Sequence, residues 1–75
     1  MDYFIKLRAD LEQARQALEA TPSLATAGEF FALVWDYSDA HKEAYDFRPN
    51  GEIDDLLEGL SPEARAQCDE FLARL

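Results

Sequence analysis

Residues 45–59 read YDFRPNGEIDDLLEG, and the way this stretch folds decides between two architectures. Five acids crowd around Pro49-Asn50-Gly51. In one architecture two helices flank a long loop that turns those carboxylates onto a cation. In the other a tight turn leads directly into a new helix, and the carboxylates face solvent. Arg48-Pro49-Asn50-Gly51 is turn chemistry in either case.

Counted from Asp46, the stretch resembles the EF-hand calcium loop: Asp46 falls first, Asn50 fifth, Gly51 sixth, Ile53 eighth and Asp54 ninth. That loop takes ligands from its first, third, fifth, seventh, ninth and twelfth positions, the last a bidentate Glu. Here the third position is Arg48, the fourth is Pro49 and the twelfth is Leu57, with Glu58 one residue late. A cation in place of an acidic ligand, and no bidentate carboxylate, defeat selective calcium binding. The stretch therefore reads as a turn followed by a short helix, about Glu52 to Glu58, ended by Gly59.

Working outward, the rest of the chain is helical as well. Only two Ile, one Val and two Thr occur, while Ala, Leu, Glu, Gln and Arg dominate, residues that lose little side-chain freedom in a helix. From Asp2 to Ala20, Phe4, Leu7, Leu11, Ala14 and Leu18 recur at steps of three and four, one helical stripe. Thr21-Pro22 breaks it, since proline disfavours a helical residue before it. Thr26-Ala27-Gly28-Glu29 matches a capping box, which predicts a second helix from about Ala27 to Tyr45. Its stripe is Phe30, Val34, Tyr37, His41 and Ala44 or Tyr45, widened by Phe31 and Trp35. Ser61-Pro62-Glu63 reads as N-cap, first-turn proline and first-turn acid. The last helix turns Ala64, Cys68, Phe71, Leu72 and Leu75 inward. The expectation is an all-α fold: one acidic domain over residues 1–75, a small bundle of three long helices plus one short helix.

Apolar residues make up 48% of the 75, but twelve of them are alanines, so the core has little to spare. Oligomerisation or a partner would help so small a domain. The lone Cys68 permits no internal disulfide and fits a reducing compartment. The N-terminal stretch has no signal-peptide core, and the longest large apolar run, Phe30–Trp35, is far short of the ~20 residues that span a bilayer. Both features point to the cytoplasm.

Net charge is −9, and it is unevenly spread. Residues 1–28 hold four acids and three bases, whereas residues 29–75 hold twelve acids and four bases. Such a surface repels nucleic acid and anionic membranes and attracts basic partners. The seven bases form no stripe that could neutralise phosphates.

Catalytic and metal chemistry find little support. Ser38, Asp39 and His41 have the residue types of a triad, yet on a helix Asp39 points away from the other two, and no oxyanion site is specified. His41 reads as a half-buried member of the Tyr37–Tyr45 stripe, and Cys68 as a small core residue. Zinc needs more His and Cys ligands than one of each. Asp36, Asp39 and Glu43 could form only an unspecified carboxylate site. The reading is a non-enzyme without cofactor or metal.

The acids themselves carry the functional reading. Asp36, Asp39, Glu43 and Asp46 are spaced three, four and three, so they line one edge of the second helix, roughly 4.5–6 Å apart along its axis. Phosphates along one nucleic-acid strand lie a comparable ~6–7 Å apart. Glu52, Asp54, Asp55 and Glu58 extend the negative field, and Tyr37, Tyr45 and Phe47 are interleaved as anchors. From Asp36 to Glu58 eight acids face two bases, Lys42 and Arg48, although like charges at helical spacing cost a few tenths of a kcal/mol. The expected function is docking of this face on the basic groove of a nucleic-acid-handling protein, blocking nucleic-acid access.

In size, acidity and helical make-up the chain resembles small phage-encoded inhibitors of the anti-CRISPR type, and in general character bacterial nuclease-immunity proteins. The resemblance implies a stand-alone protein-binding inhibitor or adaptor. The alternative is a structural homodimer, in which Phe4, Leu7, Leu11 and Leu18 pair with their copies and the acids serve solubility alone.

Overall fold

The computed structural model describes residues 2–75. Four helices follow one another, α1 (Asp2–Ala20), α2 (Leu24–Tyr45), α3 (Asn50–Glu58) and α4 (Pro62–Ala73), and no strand occurs among the described residues. The all-α bundle of three long helices and one short one is the observed architecture. Residues 46–57 do not wrap as one long loop. Four residues connect α2 to α3, which begins two residues earlier than expected, with buried Pro49 at its N-cap.

The second helix also starts early. Ser23, in extended conformation, is the N-cap; its hydroxyl accepts the Thr26 amide at 3.1 Å, and Thr26 Oγ1 accepts the Ser23 amide at 3.1 Å. This reciprocal box satisfies two end amides that would otherwise lack partners. Thr26 is thus the third residue of the helix rather than its cap, and Glu29 is left exposed. At the other end Asp46 turns left-handed (φ 65°) and its amide donates to the Lys42 carbonyl at 2.8 Å. Ser61 caps α4 as expected, its hydroxyl accepting the Ala64 amide at 3.2 Å. The Ser61 amide is itself taken by the Glu19 carboxylate at 2.9 Å.

α1 and α2 form an antiparallel hairpin: a three-residue link joins them at one end, and the Phe4 ring lies 5.7 Å from Tyr45 at the other. Its inner face holds Leu7, Leu11, Ala14 and Leu18 from α1 and Ala27, Phe30, Phe31, Val34 and Tyr37 from α2, joined by Leu60, Ala64 and Cys68. Phe30, Leu11 and Leu18 are fully buried, each large apolar side chain contributing about 1.5–3 kcal/mol. The stripe expected to pair with a second copy is therefore consumed here. Leu7, Leu11 and Leu18 are core, and Phe4 packs against it, so the proposed dimer seam has no free apolar surface to drive it.

α4 closes on α2 where Phe71 stacks on Phe31, 5.8 Å between centroids at 8°. Gly28 permits this approach, since a Cβ there would sit 3.1 Å from the Phe71 ring. Leu72 and Leu75, expected inside, are exposed: Leu72 is a step of about 100° off the Ala64–Cys68–Phe71 stripe, and Leu75 follows the helix end. Trp35 and Tyr45 likewise sit at the margin, about half exposed. Glu52 meets Arg8, and Ser61 meets Glu19. Residues 52–61 consequently run alongside α1, and α3 and α4 cover only one face of the hairpin.

Candidate functional site

The acid edge of α2 is present in full: Asp36, Asp39, Glu43 and Asp46 are all exposed. Two of them are engaged. Asp39 Oδ1 accepts from Arg48 Nη1 at 2.6 Å, and Asp46 lies 3.6 Å from Lys42 Nζ. Both pairs are solvated, a setting in which an ion pair contributes about 0–1 kcal/mol. Asp36 and Glu43 have no ion-pair partner among the described residues, nor do Asp54, Asp55 and Glu58, all exposed on α3.

Two expected surface contacts are internal instead. Tyr37 is 3% exposed, and its hydroxyl donates to Glu52 Oε2 at 2.9 Å while Arg8 Nε donates to Glu52 Oε1 at 2.9 Å. Burial, and then the Glu52 carboxylate, push the Tyr37 hydroxyl up to about 12. Tyr37 and Glu52 therefore tie α1, α2 and α3 together; Tyr37 is internal, while the engaged Glu52 carboxylate stays half-exposed. Tyr45 remains accessible and joins an aromatic group at the open end of the hairpin. His41 lies 4.7 Å from Tyr45 and 4.8 Å from Phe47 between centroids, and Phe4 lies 5.2 Å from Tyr37. His41 Nδ1–H donates to the Phe47 carbonyl at 2.7 Å, which fixes the chain as it leaves α2.

The residues with nucleophilic or metal-binding character are otherwise occupied. Ser38 is buried and its Oγ accepts from Arg48 at 3.0 Å, the same guanidinium that holds Asp39. The Ser38–Asp39–His41 set is thus split between an arginine and a carbonyl. Burial pushes the Cys68 thiol up, away from the reactive thiolate. Among the described residues no three His, Cys, Asp or Glu side chains stand together to hold a metal ion, and no helix is long and apolar enough to cross a membrane.

One surface escaped the sequence reading. On the hairpin face away from α3 and α4, a groove of about 560 Å³ runs between α1 and α2, with Ala14, Ala17, Ala32 and Leu33 along it and Asp10 and Glu29 at its sides. A separate, smaller hollow of about 260 Å³ lies between the same two helices, lined by Tyr3, Phe4, Ala40, Glu43 and Ala44. The signal lies in Glu29, Asp36 and Glu43, seven residues apart, an interval masked by the closer spacing of Asp36 and Glu43 with Asp39 and Asp46. No protein-family model, no curated protein and no solved structure matches the chain.

Proposed function

We propose that this domain is a non-enzymatic, cytoplasmic binding module whose acidic side docks on a basic surface of a nucleic-acid-handling protein and denies that surface to nucleic acid. The observation that carries this reading is the number of exposed carboxylates without ion pairs among the described residues, Asp36 and Glu43 along α2 and Asp54, Asp55 and Glu58 on α3. Acids in a merely solvated face are commonly interleaved with bases at helical spacing. Here Arg48 and Lys42 answer Asp39 and Asp46, and the other five keep their field for a cationic partner. As an inhibitor of this kind the domain acts by occlusion, in the manner of the anti-CRISPR proteins it resembles in size and charge.

The test uses the intact chain as bait in its native host, with captured proteins identified by mass spectrometry. The partner is expected to be basic, to be displaced by duplex DNA, and to associate more slowly as salt rises. Asp36→Lys, Glu43→Lys and Asp55→Lys together should abolish binding with the helical signal unchanged. Normal binding by that triple variant refutes the reading.

A further inference from the structure

We infer that the open groove between α1 and α2 is the seat of a basic amphipathic helix supplied by the partner. This rests on the acidic-docking reading above and goes beyond it by naming the element that docks.

The floor is apolar and shallow. Ala14 and Ala17 of α1 face Ala32 and Leu33 of α2, and α3 and α4 lie on the opposite side of the hairpin. Alanine walls let a third backbone approach closely, as a helix laid in a groove requires. A separate hollow lies further along the same two helices, at Ala40, Ala44 and Tyr3. From Glu29 beside the groove to Glu43 beside the hollow is fourteen residues of α2, roughly 21 Å of helix axis. That length accommodates about four turns of a visiting helix.

The rim specifies charge. Glu29, Asp36 and Glu43 recur every seven residues, so they stack along one side of α2, roughly 10.5 Å apart. None has an ion-pair partner among the described residues, whereas Asp10 across the groove is held by Lys6 at 2.9 Å. Acids repeating at heptad intervals beside an apolar seam occupy the flanking position that selects partners in helix–helix pairing. The matching helix carries a small apolar stripe and a Lys or Arg every seventh residue on one flank. A second copy of this chain does not meet the requirement. At net charge −9 it would bring further carboxylates to Glu29, Asp36 and Glu43, which have no ion-pair partner among the described residues.

The experiment uses the full chain and a fluorescein-labelled synthetic helix of about 16 residues. Its face is a Leu/Ala stripe, with Lys at its first, eighth and fifteenth positions. A scrambled isomer keeps the composition and loses the stripe. By anisotropy at low salt, the striped peptide should bind at least about tenfold tighter than the scramble, and Asp36→Lys with Glu43→Lys should remove that preference. The decisive variant is Ala32→Glu, at an exposed position. It adds negative charge yet fills the groove, so occupancy predicts at least about tenfold weaker binding, where charge attraction alone predicts the same or tighter. Unchanged or tighter binding to Ala32→Glu, or equal binding of striped and scrambled peptides, overturns the groove and leaves the acidic-docking reading standing. Failure of both peptides to bind overturns both. A dimer in sedimentation that Ala32→Glu dissociates would show the occupant to be a second copy and overturns the inference.

Discussion

The Tyr37 hydroxyl and the Glu52 carboxylate meet at 2.9 Å, and this bond, beside the buried Pro49 at the N-cap, holds the start of α3 against the α1–α2 hairpin. Arg8 completes the arrangement from α1, with its guanidinium carbon 5.9 Å above the Tyr37 ring centre. Three helices are tied through one carboxylate.

The clamp makes stability depend on alkaline pH. The Tyr37 hydroxyl lies at about 12 in the folded chain against an ordinary 10, so the native state holds its proton more tightly than the unfolded chain does. The stabilisation is complete below the ordinary value and is lost as pH rises from 10 toward 12. Tyr37→Phe is expected to cost about 1.5–3 kcal/mol at neutral pH, the range for a hydrogen bond to a charged group, and to flatten the alkaline decline. Urea midpoints of both proteins at neutral pH and above about pH 11 check it; an equal decline in the variant refutes it.

Leu11 is wholly buried, so truncating it removes core. Leu11→Ala should lower unfolding free energy by about 2–5 kcal/mol, a large share of the roughly 4–11 kcal/mol that a chain of this length commands. Leu11→Glu should unfold the domain. A folded, monomeric Leu11→Glu protein in circular dichroism and sedimentation would contradict the core assignment.

Asp46 pays the left-handed strain at the end of α2, the one positive φ among the described residues. Glycine adopts that conformation without the Cβ penalty of about 1–2 kcal/mol. Asp46→Gly is therefore expected to be more stable than Asp46→Ala by about 1 kcal/mol, even though both lose the contact with Lys42. Thermal midpoints of the two variants decide the point.

The box at Ser23 should be equally measurable. Ser23→Ala removes the acceptor for the Thr26 amide and is expected to cost about 0.5–2 kcal/mol, while Thr26→Ser, which keeps the reciprocal oxygen, should cost less. If α2 instead began at Ala27, the order of the two variants in denaturant would reverse.

How far the chain could be read depended on the range of the interactions. The α1 stripe and the Ser61-Pro62 start of α4 follow from neighbours three and four residues apart, and both stand as expected. The α2 start does not, because Ser23 and Thr26 are each good caps and only the reciprocal pair, with Pro22 left outside, favours the earlier one. Tyr37 is buried as its place in the α2 stripe implies, but its tie to Glu52, and that of Glu52 to Arg8, span 15 and 44 residues, distances over which spacing carries no information. For the acids, helical phase placed Asp36, Asp39, Glu43 and Asp46 on one edge. It could not foretell that Arg48 folds back to Asp39, since that depends on the path of residues 46–49.

α3 contains no fully buried side chain and no side-chain cap, and it rests on partly buried Ile53, Leu56 and Leu57 beside the Glu52 clamp. The molecule thus has two tiers of cohesion, a trunk of three helices and a strap across it. Amide hydrogens of residues 50–58 should exchange with solvent well ahead of those in α1 and α2, so the strap lifts and reseats many times during the life of one folded trunk.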